Sequence, residues 1–137
     1  MKKYLFFVLS MIIFIISGCN DQKGNQFIGE WKQKTDEKFP STLSIKKKDG
    51  VFYIDDKYFD VKVAEKKYEK ELIEYMRGVR SGEMPSQENS YSDDSYRVKK
   101  LEAVSVNDDL LKGDGYSLRL EKDILYFNGD AYIKLKG

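Results

Sequence analysis

Two dipeptides set the rhythm of this chain: Asp49-Gly50 and Asn128-Gly129, each lying between short runs of alternating apolar and polar residues. A two-residue connection of this kind needs positive φ at both positions, which Gly, Asn and Asp tolerate and most residues resist. It joins neighbouring antiparallel strands and leaves no room for a helix between them. Before the first turn, Leu43 and Ile45 alternate with Thr42, Ser44 and Lys46; after it, Val51 to Ile54 is β-branched and aromatic. Near the second, Tyr116, Leu118 and Leu120 alternate with Ser117 and Arg119, and Ile124 to Phe127 leads into the turn. Beyond it, Ala131, Ile133 and Leu135 alternate with Tyr132, Lys134 and Lys136. Phe27 to Lys34 reads as the opening strand, with Phe27, Gly29, Trp31 and Gln33 on one face. Asp55-Asp56 reads as a turn, Tyr58 to Val63 as a further strand, and Tyr96 to Val106 as one bent strand or two.

The period changes once. Ala64, Tyr68, Leu72, Tyr75 or Met76, and Val79 recur every three or four residues, which predicts an amphipathic helix over 64–80 packed on the sheet. Ser81 to Ser95 then offers only Met84 and Tyr91 as large nonpolar-bodied residues and reads as a mobile, dispensable polar loop. The fold expected is mainly β: an antiparallel meander barrel or strongly curled sheet of seven to eight strands with one amphipathic helix.

Absences bound the chemistry. The 137 residues include no histidine and one cysteine, Cys19. Ser-His-Asp and Cys-His catalysis, histidine zinc sites and an intramolecular disulfide are therefore excluded. With 24 Lys+Arg against 23 Asp+Glu, the chain lacks the basic excess of a nucleic-acid binder. Tyr53 and Lys57 have Tyr-x-x-x-Lys spacing, but no Gly-rich strand–helix turn accompanies them. Ser44 and Lys47 match Ser-x-x-Lys, but mid-strand rather than at a helix start. Asp55-Asp56, Asp93-Asp94 and Asp108-Asp109 follow no calcium-loop spacing; Asn107, Asp108, Asp109 and Asp114 form the best of the weak-cation candidates. The expectation is that the protein is not an enzyme and carries neither metal nor cofactor.

The N-terminus gives location. Met1-Lys2-Lys3 precedes a run from Tyr4 to Ile16 that is apolar except for Ser10. As a helix those residues reach roughly 20 Å, short of the about 30 Å of bilayer hydrocarbon, and suit a secretory signal. The run ends Ile16-Ser17-Gly18-Cys19, which resembles the lipobox of bacterial lipoproteins at all four positions. That resemblance implies removal of residues 1–18 and acylation of Cys19, palmitate being a typical chain; two or three chains anchor stably where one does not. Asn20, in place of aspartate, is similar to outer-membrane lipoproteins, facing the periplasm or the surface, where the cell has two membranes. Residues 19–26 read as a flexible tether and 27–137 as the folded domain.

Gly29-Glu30-Trp31 on the opening strand, with the closing Asn-Gly hairpin, resembles small lipocalin-like bacterial lipoproteins. The resemblance implies a barrel whose tryptophan packs across the closed end. It differs in the helix, which falls between the fourth and fifth predicted strands instead of after the barrel.

The site residues expected are few. Cys19 is the lipidation site, and Tyr53, Tyr58, Tyr91, Tyr126 and Tyr132 form a candidate interaction surface, because tyrosine supplies rigid amphipathic contact area. The function expected is a non-catalytic binding or interaction role in the cell envelope, with the membrane and an unidentified envelope or secreted protein as partners. An inhibitor or immunity-type lipoprotein acting through the acidic loop 81–95, and a carrier of a small apolar ligand, are the alternatives.

Overall fold

A computed structural model of the protein describes residues 22–136. The signal segment 1–18, Cys19 and the first residues of the expected tether lie outside the described residues. Eight strands close into one antiparallel barrel in sequence order. They are β1 (Gly29–Gln33), β2 (Thr42–Lys48), β3 (Val51–Phe59), β4 (Tyr96–Asn107), β5 (Leu110–Lys112), β6 (Ser117–Glu121), β7 (Ile124–Phe127) and β8 (Asp130–Lys134). Closure is made by β1 on β8, Lys32 opposite Ile133.

The turn chemistry explains the meander. Asp49 and Gly50 take φ of 52° and 78°, and Asn128 and Gly129 take 50° and 80°. Lys122 and Asp123 do the same at 50° and 66°, without a glycine, between β6 and β7. Period-two alternation then turns Trp31, Leu43, Ile45, Phe52, Ile54, Ala103, Leu111, Leu118, Leu120, Leu125, Phe127 and Tyr132 inward, where they fill the barrel with side chains. This core runs from Phe27 to Tyr132 and is sealed by the barrel's own strands, so it is a self-contained folding unit.

Several expectations are corrected. Phe27 does not open a strand: Asn25–Phe27 is a 3-10 turn begun by Gly24 at φ 78°, and it drives Phe27 into the base of the barrel. Gly24 is itself buried, so the tether is folded from residue 22 onward. Asp55-Asp56 is no turn. The β3–β4 ladder runs through it, Asp55 opposite Lys100 and Asp56 opposite Lys99, and opposite charge on the facing strand lets the acids stay in register. The fourth predicted strand is thereby absorbed, and Val61 to Val63 belong to the helix.

Helix α1 (Val61–Met76) starts three residues early because Asp60 caps it, its carboxylate accepting from the Lys62 and Val63 amides. Its main packing is on a second short helix, α2 (Gln87–Ser90), and on the 3-10 turn Asp93–Ser95, rather than along the sheet. Only Ala64 is fully buried along it, while Ile73 and Met76 remain exposed. Segment 81–95 is therefore a folded cap on the helix. Ser90 Oγ donates to Glu71 Oε2 at 2.5 Å, Lys67 Nζ meets Asp94 Oδ2 at 2.9 Å, and Pro85, Ser90 and Ser95 are buried. Among the described residues no helix is long and apolar enough to cross a membrane.

Candidate functional site

The five tyrosines do not assemble into one surface. Tyr53 lies on the outer wall of β3 and is 43 % exposed. Tyr126 lies on the outer wall of β7 with the Arg119 guanidinium 5.1 Å from its ring. Tyr58, opposite Arg97, is half-buried at the end of the barrel from which α1 departs. Tyr132 is a core residue, 3 % exposed, and is no part of a recognition face. Its strand carries nonpolar side chains at both parities, and it is Ile133 that points out.

Tyr91 alone joins a cluster. Phe39 from the β1–β2 connection stacks on Phe59 at the end of β3, with ring centroids 4.2 Å apart and planes 9° from parallel. Tyr96, which opens β4, stands edge-on to both, at 6.2 Å from Phe39 and 5.6 Å from Phe59. Tyr91 closes the group at 5.8 Å from Phe59. Tyr96 donates its hydroxyl to the Pro40 carbonyl at 2.9 Å, which ties the connection to the sheet. Two ammonium groups flank the rings: Lys57 Nζ is 5.1 Å from Tyr96 and Lys38 Nζ 5.5 Å from Phe39. All four rings are half-buried, and a cleft of about 250 Å³ opens beside them between Gln33, Glu37, Lys38, Phe39, Phe59 and Val61. Aromatic pairs of this geometry hold their shape before a partner arrives, and rigid half-exposed rings are what binding hot spots are made of.

Inside the same end of the barrel lies a polar layer. Asp56 and Tyr132 face inward there, with Ser41, Lys99 and Asp130 beside them. Burial raises the Asp56 carboxyl above its ordinary value against the opposing pull of Lys99. Burial, with the Asp56 and Asp130 charges, pushes the Tyr132 hydroxyl up to about 12. On the helical cap the carboxylates are held ionised: Ser90 and Arg80 lower Glu71, and Ser92 and Lys67 lower Asp94. Of the acids in 81–95, Asp94 is bound back onto the helix through Lys67, while Glu83, Glu88 and Asp93 stay exposed.

The opposite end, the base, is where the described chain begins. A cavity of about 930 Å³, open to solvent, is lined there by Gln26, Trp31, Leu120 and Leu135, with Lys122, Lys134, Lys136, Asp109 and Asp123 around it. Trp31 is 2 % exposed and its indole N–H donates to the Phe27 carbonyl at 2.8 Å.

Local sequence patterns missed the aromatic cluster, because its members come from three separate segments and only the strand register brings them together. Comparison with protein-family models, curated proteins and solved structures found no match.

Proposed function

We propose that the protein is a lipoprotein of the bacterial cell envelope, held to the membrane through acylated Cys19, whose non-catalytic, lipocalin-like barrel binds a partner protein with the end remote from the anchor. The observation that carries the binding role is the four-ring cluster of Phe39, Phe59, Tyr91 and Tyr96, preformed and half-exposed beside a cleft. It stands at the far end of β3, whose nine residues separate it from the base by roughly 30 Å of strand. The exposed Ile73, Met76, Val79 and Met84 on the helical excursion extend apolar surface at that end. The buried core is made of the barrel's own side chains, and the cavity at the base is open to solvent and bordered by five charged side chains, which favours surface recognition over carriage of an apolar ligand. The anchor rests on the lipobox and the short apolar segment before it.

Two measurements test this. Metabolic labelling with a fatty acid should mark the wild-type chain and not Cys19→Ser; label on the serine variant rejects the anchor. A photo-crosslinking residue at position 39 or 91 should capture the same partner in cells, while one at position 126 on the outer wall captures none. Equal capture at all three positions, or none at 39 and 91, rejects the binding end.

A further inference from the structure

We infer that the base of the barrel is a second, electrostatic membrane contact: the outer faces of the β2–β3 hairpin and of the end of β4 lie on the anionic headgroups of the bilayer. The inference rests on the anchored reading above and deepens it.

The covalent argument comes first. With residues 22–26 folded against the barrel, only Asn20 and Asp21 lie between the acylated Cys19 and Gln22. Three Cα steps span at most about 11 Å. A lipid seated at the bilayer surface therefore holds the base within about one Debye length of the headgroups. Whatever surrounds the chain's exit must meet them.

The exit is well defined. Lys47 Nζ donates to the Lys23 carbonyl at 3.3 Å and to Asn25 Oδ1 at 3.2 Å, which fastens the incoming chain to the β2–β3 hairpin. On the other side Gly24 lies against Phe52, Leu111 and Ser105, the last within β4. The chain thus emerges between the hairpin and the β4–β5 turn. Lys23, Lys46 and Lys48 are exposed around that point; Asp49 is the acid of the hairpin's turn, Asp108 and Asp109 lie in the β4–β5 turn, and Glu102 stands opposite Tyr53 farther up the wall. Beside them the outer wall carries Tyr53, Val104 and Val106, which are 43 %, 52 % and 51 % exposed, and half-buried Val51 across from Val104.

Lysines beside tyrosine and short aliphatic side chains suit the headgroup region, where the charge meets phosphate and the nonpolar bodies sit among the glycerol groups. The charge is also divided along the barrel axis. The base segments 22–26, 46–51, 106–109, 121–123 and 134–136 hold seven lysines and five acids. The excursion 60–95 at the other end holds nine acids and six basic residues. An anionic surface therefore turns the base toward itself and the aromatic cluster away.

The test uses the domain from Asn20 onward, which contains the whole core, with vesicles of phosphatidylcholine alone and of phosphatidylcholine mixed with phosphatidylglycerol. The unacylated domain should bind the mixed vesicles, release with salt, and ignore the neutral ones. The triple variant K23Q/K46Q/K48Q should lose about 100-fold in partitioning, at roughly one kilocalorie per lysine. The helix variant K62Q/K66Q/K70Q should lose less than about threefold. Buried Trp31 fluorescence reports that each variant is folded. Equal binding to both vesicles, no binding, or loss with the helix variant instead overturns the inference. If Cys19 labels with fatty acid but the domain ignores anionic vesicles, the contact falls and the anchored reading stands. If the domain binds as stated but Cys19 carries no lipid, the contact stands and the anchored reading falls.

Discussion

Lys134 closes the base of the barrel over Trp31. Its ammonium lies 5.5 Å from the indole ring and reaches the Gln26 carbonyl at 3.3 Å, while its stem lies where a side chain on Gly29 would stand. Beneath it the indole N–H is occupied by Phe27. One residue of the last strand thus joins the 3-10 turn to the first strand. Replacing Lys134 with Ala should cost about 1 kcal/mol, from a lost cation–ring contact and lost packing of the stem. Arginine, which keeps both, should restore most of it. Trp31→Ala should cost about 3–5 kcal/mol by opening a cavity in the core. Urea unfolding of the three variants checks the order.

Gly24 is the hinge of that same closure. It sits at φ 78°, and a Cβ there would stand 2.9 Å from Phe52 Cζ and 3.1 Å from Leu111 Cδ2. Gly24→Ala combines left-handed strain with overpacking against two fully buried side chains and should destabilise by about 2–3 kcal/mol. Gly50→Ala, equally left-handed but with open space around it, should cost only the strain, about 1 kcal/mol. A difference near zero between the two in thermal unfolding would remove the packing argument.

The helical cap should come apart from the barrel. Its ties to α1 are polar, Ser90 to Glu71 and Lys67 to Asp94, and the barrel core holds no residue from 65–95. Replacing 81–95 with a short Gly-Ser link should melt part of α1, seen as lost helical circular dichroism. The near-ultraviolet signal of Trp31 should stay native. Loss of both signals together would show that barrel and cap fold as one unit.

The hairpins were legible because their chemistry is local: Asp49-Gly50 and Asn128-Gly129 state their own φ angles. Trp31 and the inward Leu43, Ile45, Leu118 and Leu120 follow from alternation. What failed was non-local. Asp55-Asp56 has the composition of a turn, and only Lys99 and Lys100 on a strand more than forty residues away make it a ladder. Alternation groups Tyr132 with Lys134 and Lys136 against Ala131, Ile133 and Leu135, and the strand turns the opposite way, Tyr132 inward with Ile133 and Leu135 exposed, because its register is set by closure on β1. Polar 81–95 is held because Glu71 and Lys67 of the helix bind Ser90, Ser92 and Asp94, which composition does not disclose. The aromatic cluster needs Phe39, Phe59 and Tyr96 in one register, a property of the closed sheet alone.

The third hairpin carries avoidable strain. Lys122 and Asp123 both hold positive φ, which costs a non-glycine residue on the order of 1 kcal/mol, less for Asp. The double variant K122N/D123G copies the dipeptide of the β7–β8 turn. It should stabilise by about 1 kcal/mol and raise the Tm by about 4 °C. An unchanged or lower Tm would show that the turn's own side chains compensate for the strain.

Asp56 and Tyr132 make the inner polar layer sensitive at both ends of the pH scale, with signs that follow from one rule. Each pKa is higher folded than unfolded, so the fold favours the protonated form. For Tyr132 both states are protonated below about pH 10; above it the unfolded tyrosine loses its proton first, and stability falls until the folded group titrates near 12. A shift of that size corresponds to about 2–3 kcal/mol across the window. Tyr132→Phe should flatten this alkaline limb. For Asp56 the loss begins as pH rises past its ordinary 3.8, because the unfolded carboxyl ionises more readily than the folded one. Asp56→Asn should therefore stabilise the domain at neutral pH, and its advantage should shrink as pH falls below 4. Urea midpoints measured from acid to alkaline pH decide both. An alkaline limb unchanged in Tyr132→Phe would show that burial does not hold the Tyr132 proton, and an Asp56→Asn variant less stable than wild type at neutral pH would show that Lys99 outweighs burial at Asp56.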